Sequence, residues 1–207
     1  MLGDYYKNTM LGEITDNVSY FKAIMTEITL INQMTQSVCG RTLFLRDFNE
    51  SRPPGLTFFR LPTLKNFNEF VLAMDKMLSD NLNREFFRPT ISLESESLRS
   101  DGKVVVQQKG TLSLLEEWIR SRFIWEDVED AVAMIVAPLR RVRQLRQSPA
   151  HKVEENVYSE EYEDQQHEIL RAVYGSVVQI RETLSKDPAA PAIQIPTFLS
   201  EGSIVFD

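Results

Sequence analysis

Apolar residues recur every three or four positions along most of this chain, and every second position only in short stretches. Phe21, Ile24, Ile28 and Ile31 share one face of residues 18–37 and predict a helix, which Gly40 is placed to end. In RTLFLRDF (41–48) the alternation of Leu43 and Leu45 predicts a short strand. SRPPG (51–55) predicts a turn, because proline fixes φ and glycine relaxes it, and GLTFFRL (55–61) is a candidate second strand. Phe67, Val71, Met74 and Leu78 form the apolar face of a helix predicted over 66–83, with Asn66 and Glu69 spaced as a capping box.

The period changes again at 91–110. Ile91 and Leu93 alternate with polar residues, Ser100-Asp101-Gly102 supplies a turn, and Val104, Val105 and Val106 suit a strand, so a β-hairpin is predicted. From Thr111 onward the pattern is helical. TLSLLEEWIRSRF (111–123) predicts a short helix with Thr111 or Ser113 as its cap. Val128, Val132, Ile135, Leu139 and Val142 mark the buried stripe of a helix over 126–146, which Pro138 inside it should kink. A last helix over 159–185 opens with Ser159 and three glutamates. Its seam of Leu170, Val173, Val177, Ile180 and Leu184 fits a core, or else a dimer interface. The tail (187–207) carries three prolines and apolar beads at Ile193, Ile195, Phe198, Ile204 and Phe206. It predicts an extended, non-helical arm that packs on its own domain or adds as a strand to a partner.

These elements define a mainly α fold: an up-and-down helical bundle with a small β-hairpin insertion and a Pro-rich extended C-terminal tail. The bundle is expected over 63–187, with the hairpin at 91–110. Residues 1–62 hold a helix and short extended segments that could belong to the same domain, and 188–207 form the tail.

Composition narrows the classes. The chain has 207 residues, enough for a sizeable core, and a net charge of −7, which argues against coating nucleic acid by bulk charge. Cys39 is the single cysteine, so neither an internal disulfide nor a cysteine metal cluster is available. The N-terminus lacks a basic start followed by an apolar run, and the longest apolar run, AVAMIVAPL (131–139), is too short for a bilayer. A soluble cytoplasmic protein is expected, with no membrane partner. Walker, Rossmann, zincin and nucleophile-elbow motifs are absent from the sequence.

Against that acidic background RRVRQLRQSPAHK (140–152) holds four arginines, a lysine and no acid. Arg140, Arg143 and Arg146 are three apart, near one face at the end of a helix. One or two cations would satisfy the helix dipole; this many predict an anion site, since arginine forks match phosphate oxygens bidentately. Pro149 stops the helix, so Arg146 on its last turn and His151 beyond the break can face one notch. A histidine can exchange a proton near neutral pH and an arginine can stabilise charge building on a phosphate. With a ribose 2′-hydroxyl as nucleophile, RNA is the natural substrate and no metal or other cofactor is required.

The R-x4-H motif of Arg146 and His151, between two long helices of an all-α bundle, resembles the HEPN superfamily (higher eukaryotes and prokaryotes nucleotide-binding domains). The resemblance covers about 63–187. It implies a homodimer whose two motifs meet in a composite, metal-independent ribonuclease site leaving 2′,3′-cyclic phosphate ends. It also implies a setting in toxin–antitoxin systems, stress or antiviral defence. On that analogy Arg146 and His151 are catalytic: Arg146 stabilises the scissile phosphate, and His151 acts as acid/base or positions the phosphate. Arg140, Arg143, Gln147 and Lys152 are then substrate-binding residues. Gln147 stands where catalytic members often carry Asn, Asp or His, and Val153 where nucleotidyltransferase-paired toxins carry tyrosine.

Two functions follow as alternatives. One is the endoribonuclease. The other is a non-catalytic module that uses the same basic cluster to bind RNA, a nucleotide or an acidic protein partner. His167 with Glu163 and Glu160 could hold a metal but reads better as a solvated acidic face, whose acids could also pair with 140–152. Trp118 and Trp125, and Met25, Met34, Met74 and Met77, read as core.

Overall fold

The computed structural model describes residues 18–48, 61–123, 128–147, 156–200 and 204–206. Within them lie helices α1 (Tyr20–Cys39), α2 (Leu64–Met77), α3 (Arg84–Phe87), α4 (Thr111–Arg122), α5 (Val128–Gln147), α6 (Glu161–Ser185) and α7 (Thr197–Ser200). The strands are β1 (Val18–Ser19), β2 (Glu94–Leu98), β3 (Val104–Gln108) and β4 (Ile204–Val205). The fold is mainly helical. SRPPG, most of GLTFFRL, and Trp125 lie outside the described residues.

One apolar cluster joins α1, α2, α4, α5 and α6. Ile24, Ile28, Met74, Leu114, Val132, Ile135, Val173 and Val177 are fully buried in it. The α6 seam of Leu170, Val173, Val177, Ile180 and Leu184 is buried inside this single chain, so it is core. Trp118 is buried against Phe86 and Phe87, and Met25, Met34, Met74 and Met77 fill the same interior. Because α1, Leu43 and Phe44 contribute to this cluster, residues 20–44 share the bundle's core.

Local chemistry departs from expectation at four places. Residues 41–48 form no strand. Leu43 and Phe44 are both buried and Leu45 is exposed, so the strand alternation fails. Side chains of α1 substitute for a strand neighbour: Asn32 exchanges two hydrogen bonds with the Phe44 backbone, and Leu43 N–H donates to Thr35 Oγ1. Only an isolated bridge between Phe44 and Leu82 remains. Helix α2 is capped by Thr63, whose Oγ1 accepts from Asn66 N–H, rather than by an Asn66–Glu69 box. Helix α4 has no side-chain cap: neither Thr111 nor Ser113 caps it, Gly110 stands at the N-cap, and Thr111 donates its hydroxyl to Ser79 O. Finally, the tail is not wholly extended. It makes the single helical turn α7, and Ile204–Val205 pair in parallel with Val18–Ser19.

That tail covers one side of α1. Leu199 is buried against Ala23 and Leu30, and Phe206 stacks on Tyr20 at 4.6 Å. At the end of α1 the sequence signal holds: Gly40 adopts φ 70° and its N–H bonds Gln36 O, closing the helix. The hairpin β2–β3 is antiparallel, with Leu98 opposite Val104, and stands away from the core with both residues exposed. Among the described residues no helix is long and apolar enough to cross a membrane.

Candidate functional site

Helix α5 runs through the middle of the bundle, and its period sets the fate of the arginines. Successive residues turn by about 100°, so neighbours in the sequence reach different helices. Arg140 turns to α4 and bonds Glu116, which also accepts from Arg120 at 2.9 Å. Arg141 turns to α6 and makes a two-pronged pair with Glu168 at 2.7 and 3.0 Å. Arg143 and Arg146, three apart, face α2 together. Burial alone would raise the Glu116 carboxyl, but hydrogen bonds and charge from Arg120 and Arg140 outweigh it and hold it below the usual glutamate range. The hydrogen bonds from Arg141 likewise hold Glu168 low.

The α2 side is a four-residue cluster. Asp75, on the last turn of α2, is fully buried and takes Arg143 Nε at 2.8 Å on Oδ1 and Arg146 Nη1 on Oδ2. Asp80, in the turn after α2, takes Arg143 Nη2 at 2.7 Å on Oδ1 and Arg146 Nη1 at 2.5 Å on Oδ2. Hydrogen bonds from Arg146 to Asp75 first, then Asp80, raise the guanidinium's affinity for its proton. The Arg143 and Arg146 side chains stay 28% and 33% exposed, and Asp80 38%, against 0% for Asp75. The cluster has an inner carboxylate sealed from water and an outer one at the surface.

Of the residues singled out from the sequence, Arg143 and Arg146 therefore come together. Arg140 points elsewhere, onto Glu116. Gln147 ends α5 and is exposed. His151 and Lys152 lie outside the described residues. Glu160 and Glu163, which the sequence allows to pair with this cluster, form none of these pairs: Glu168 takes Arg141, and Asp75, Asp80 and Glu116 take the other three arginines. These last three acids were missed. Asp75 left a trace, because an acid directly after Met74 and four residues after Val71 abuts the apolar stripe of α2, where an unpaired charge is rarely found.

His167 packs its ring 4.0 Å from Phe206, beside the Arg171 guanidinium at 4.7 Å from the same ring. Among the described residues no cluster of three or more His, Cys, Asp or Glu has the geometry to hold a metal ion. Comparison with protein-family models, curated proteins and solved structures returned no match for this chain.

Proposed function

We propose that the chain is a HEPN-like, metal-independent endoribonuclease, working as a homodimer on RNA in cytoplasmic stress or antiviral defence. The observation that supports this most is the setting of Arg146. It stands on the last turn of α5, five residues before His151, with its guanidinium held by Asp75 yet one-third exposed. A cation that stabilises a transition state works best when its orientation is fixed before the substrate arrives. Asp75 supplies that fixing.

In the reaction His151 removes the proton of a ribose 2′-hydroxyl. The 2′-oxygen attacks the adjacent phosphorus, the P–O5′ bond breaks, and the leaving 5′-oxygen takes up a proton. The products are a 2′,3′-cyclic phosphate and a 5′-hydroxyl. Arg146 neutralises the charge that builds on the non-bridging oxygens. Arg143, which shares Asp75 and Asp80 with Arg146, grips the same phosphate, and Gln147 and Lys152 hold neighbouring ones. Arg140, engaged with Glu116, contributes least.

A second reading is favoured by one observation. All four arginines of 140–146 already have carboxylate partners, so the cluster also locks α5 to α2, α4 and α6. Under this reading the bundle binds RNA, a nucleotide or an acidic protein partner without cutting. Wild type and His151→Ala, incubated with labelled RNA in EDTA, separate the two. Cleavage by wild type alone, with cyclic phosphate ends, supports the ribonuclease; no cleavage by a folded dimer supports the binding module.

A further inference from the structure

Asp75 and Asp80 contact the same two arginines, but their surroundings differ in ways that decide what each can do. Asp75 belongs to a helix, is sealed from solvent, and could not leave without stranding its charge. Asp80 sits in a turn, and among the described residues its carboxylate has only Arg143 and Arg146 as partners. Its short side chain is 38% exposed, so a rotation about χ1 takes the carboxylate into water, where its charge is solvated at little cost. It vacates one N–H of Arg143 Nη2 and one of Arg146 Nη1, the second nitrogen keeping its bond to Asp75. The vacated N–H groups would then present two donors to one incoming anion.

We propose that Asp80 is a resident anion in a two-arginine fork built for a phosphodiester, and that substrate enters by displacing it. This inference rests on the reading of Arg146 as a phosphate-binding residue and adds the regulation of that site. The exchange is balanced in charge and in geometry. Two arginines face two carboxylates, so the cluster is neutral. A phosphodiester carries one negative charge on two non-bridging oxygens, as the Asp80 carboxylate does, and it meets the same two donors. Exchange leaves the cluster neutral and breaks no contact to Asp75. Anions bearing less charge density than a phosphodiester gain little by entering. The fork therefore stays closed until an RNA strand brings further contacts. Such a resident carboxylate explains how a surface pair of arginines avoids binding any passing anion.

The test uses the full chain and a fluorescein-labelled 2′-O-methyl oligoribonucleotide, which keeps the phosphodiesters but cannot be cut. Its affinity is read by anisotropy at fixed salt for wild type, Asp80→Asn, Glu168→Gln and the double variant Asp80→Asn/Arg143→Gln. Glu168→Gln removes the same charge elsewhere on the α5–α6 surface and frees Arg141. Removing a charge within contact distance of the bound phosphate should tighten binding about tenfold for Asp80→Asn. Glu168→Gln should change it less than twofold, and the double variant should lose the gain. An unchanged or weaker affinity for Asp80→Asn, with circular dichroism showing a folded protein, overturns the proposal. So does an equal gain from Glu168→Gln, which would make the effect one of bulk charge. Failure here alongside wild-type cleavage of ordinary RNA sinks the displacement alone. A tenfold gain without cleavage by any variant sinks the ribonuclease alone.

Discussion

Two ion-pair sites in this bundle both set arginine against carboxylate and are built to opposite ends. Arg181 of α6 donates from Nε to Glu27 of α1 at 2.6 Å, with the glutamate fully buried and the arginine 10% exposed. Glu27 lies along α1 between Ala23 and Leu30, the two residues against which the tail's Leu199 packs. Among the described residues its Oε1 has no partner, and burial pushes the carboxyl above the usual glutamate range. At the end of α5, by contrast, two arginines share two aspartates and one edge is open to water. The closed pair can do nothing but hold α1 to α6. The open one can trade a carboxylate for an external anion. What separates structure from candidate function here is the access of the charges, not their number.

The largest expected effects come from the closed site. Arg181→Ala strands a buried carboxylate and should cost about 3–5 kcal/mol in urea denaturation, while Glu27→Leu with Arg181→Leu should recover most of it. Asp75→Asn removes a buried charge from two arginines that can still reach water and Asp80, so a loss of about 1–3 kcal/mol is expected. Asp80→Asn, at the solvent edge, should cost under about 1 kcal/mol. A cost for Asp80→Asn equal to that for Asp75→Asn would erase the distinction between inner and outer carboxylate.

Acid titration sharpens the same contrast with two glutamates. Glu27 is raised in the folded state, so its contribution to stability is present at low pH and lost as pH climbs through its folded value. Glu116 is lowered, so its contribution is present at neutral pH and lost as pH falls below the usual glutamate range. Melting curves between about pH 3 and pH 7 should show wild type gaining on Glu27→Gln as pH drops and Glu116→Gln losing its disadvantage over the same interval. Parallel pH slopes for the two variants would contradict the assigned environments.

Helices were legible because their seams obey one period over many residues: the five α6 positions and the α2 face are all buried where the 3–4 spacing puts them. The 41–48 segment was not, because what satisfies its backbone is the side chains of Asn32 and Thr35, twelve and eight residues away on another element. The same limit applies to the arginines. Their density was visible in the sequence. That Arg146 would meet Asp75, 71 residues earlier, depends on how α2 packs on α5, and no local pattern encodes it. Asp80 was harder still, since an acid in a turn looks like solvated surface.

The most direct measurement is a crystal structure of the wild-type chain with a 2′-O-methyl dinucleotide. The account predicts its phosphodiester between Arg143 Nη2 and Arg146 Nη1, Asp75 unmoved, and the Asp80 carboxylate turned into solvent. A dinucleotide bound elsewhere, with Asp80 still bridging both arginines, would contradict it and leave the cluster as a fastening between helices.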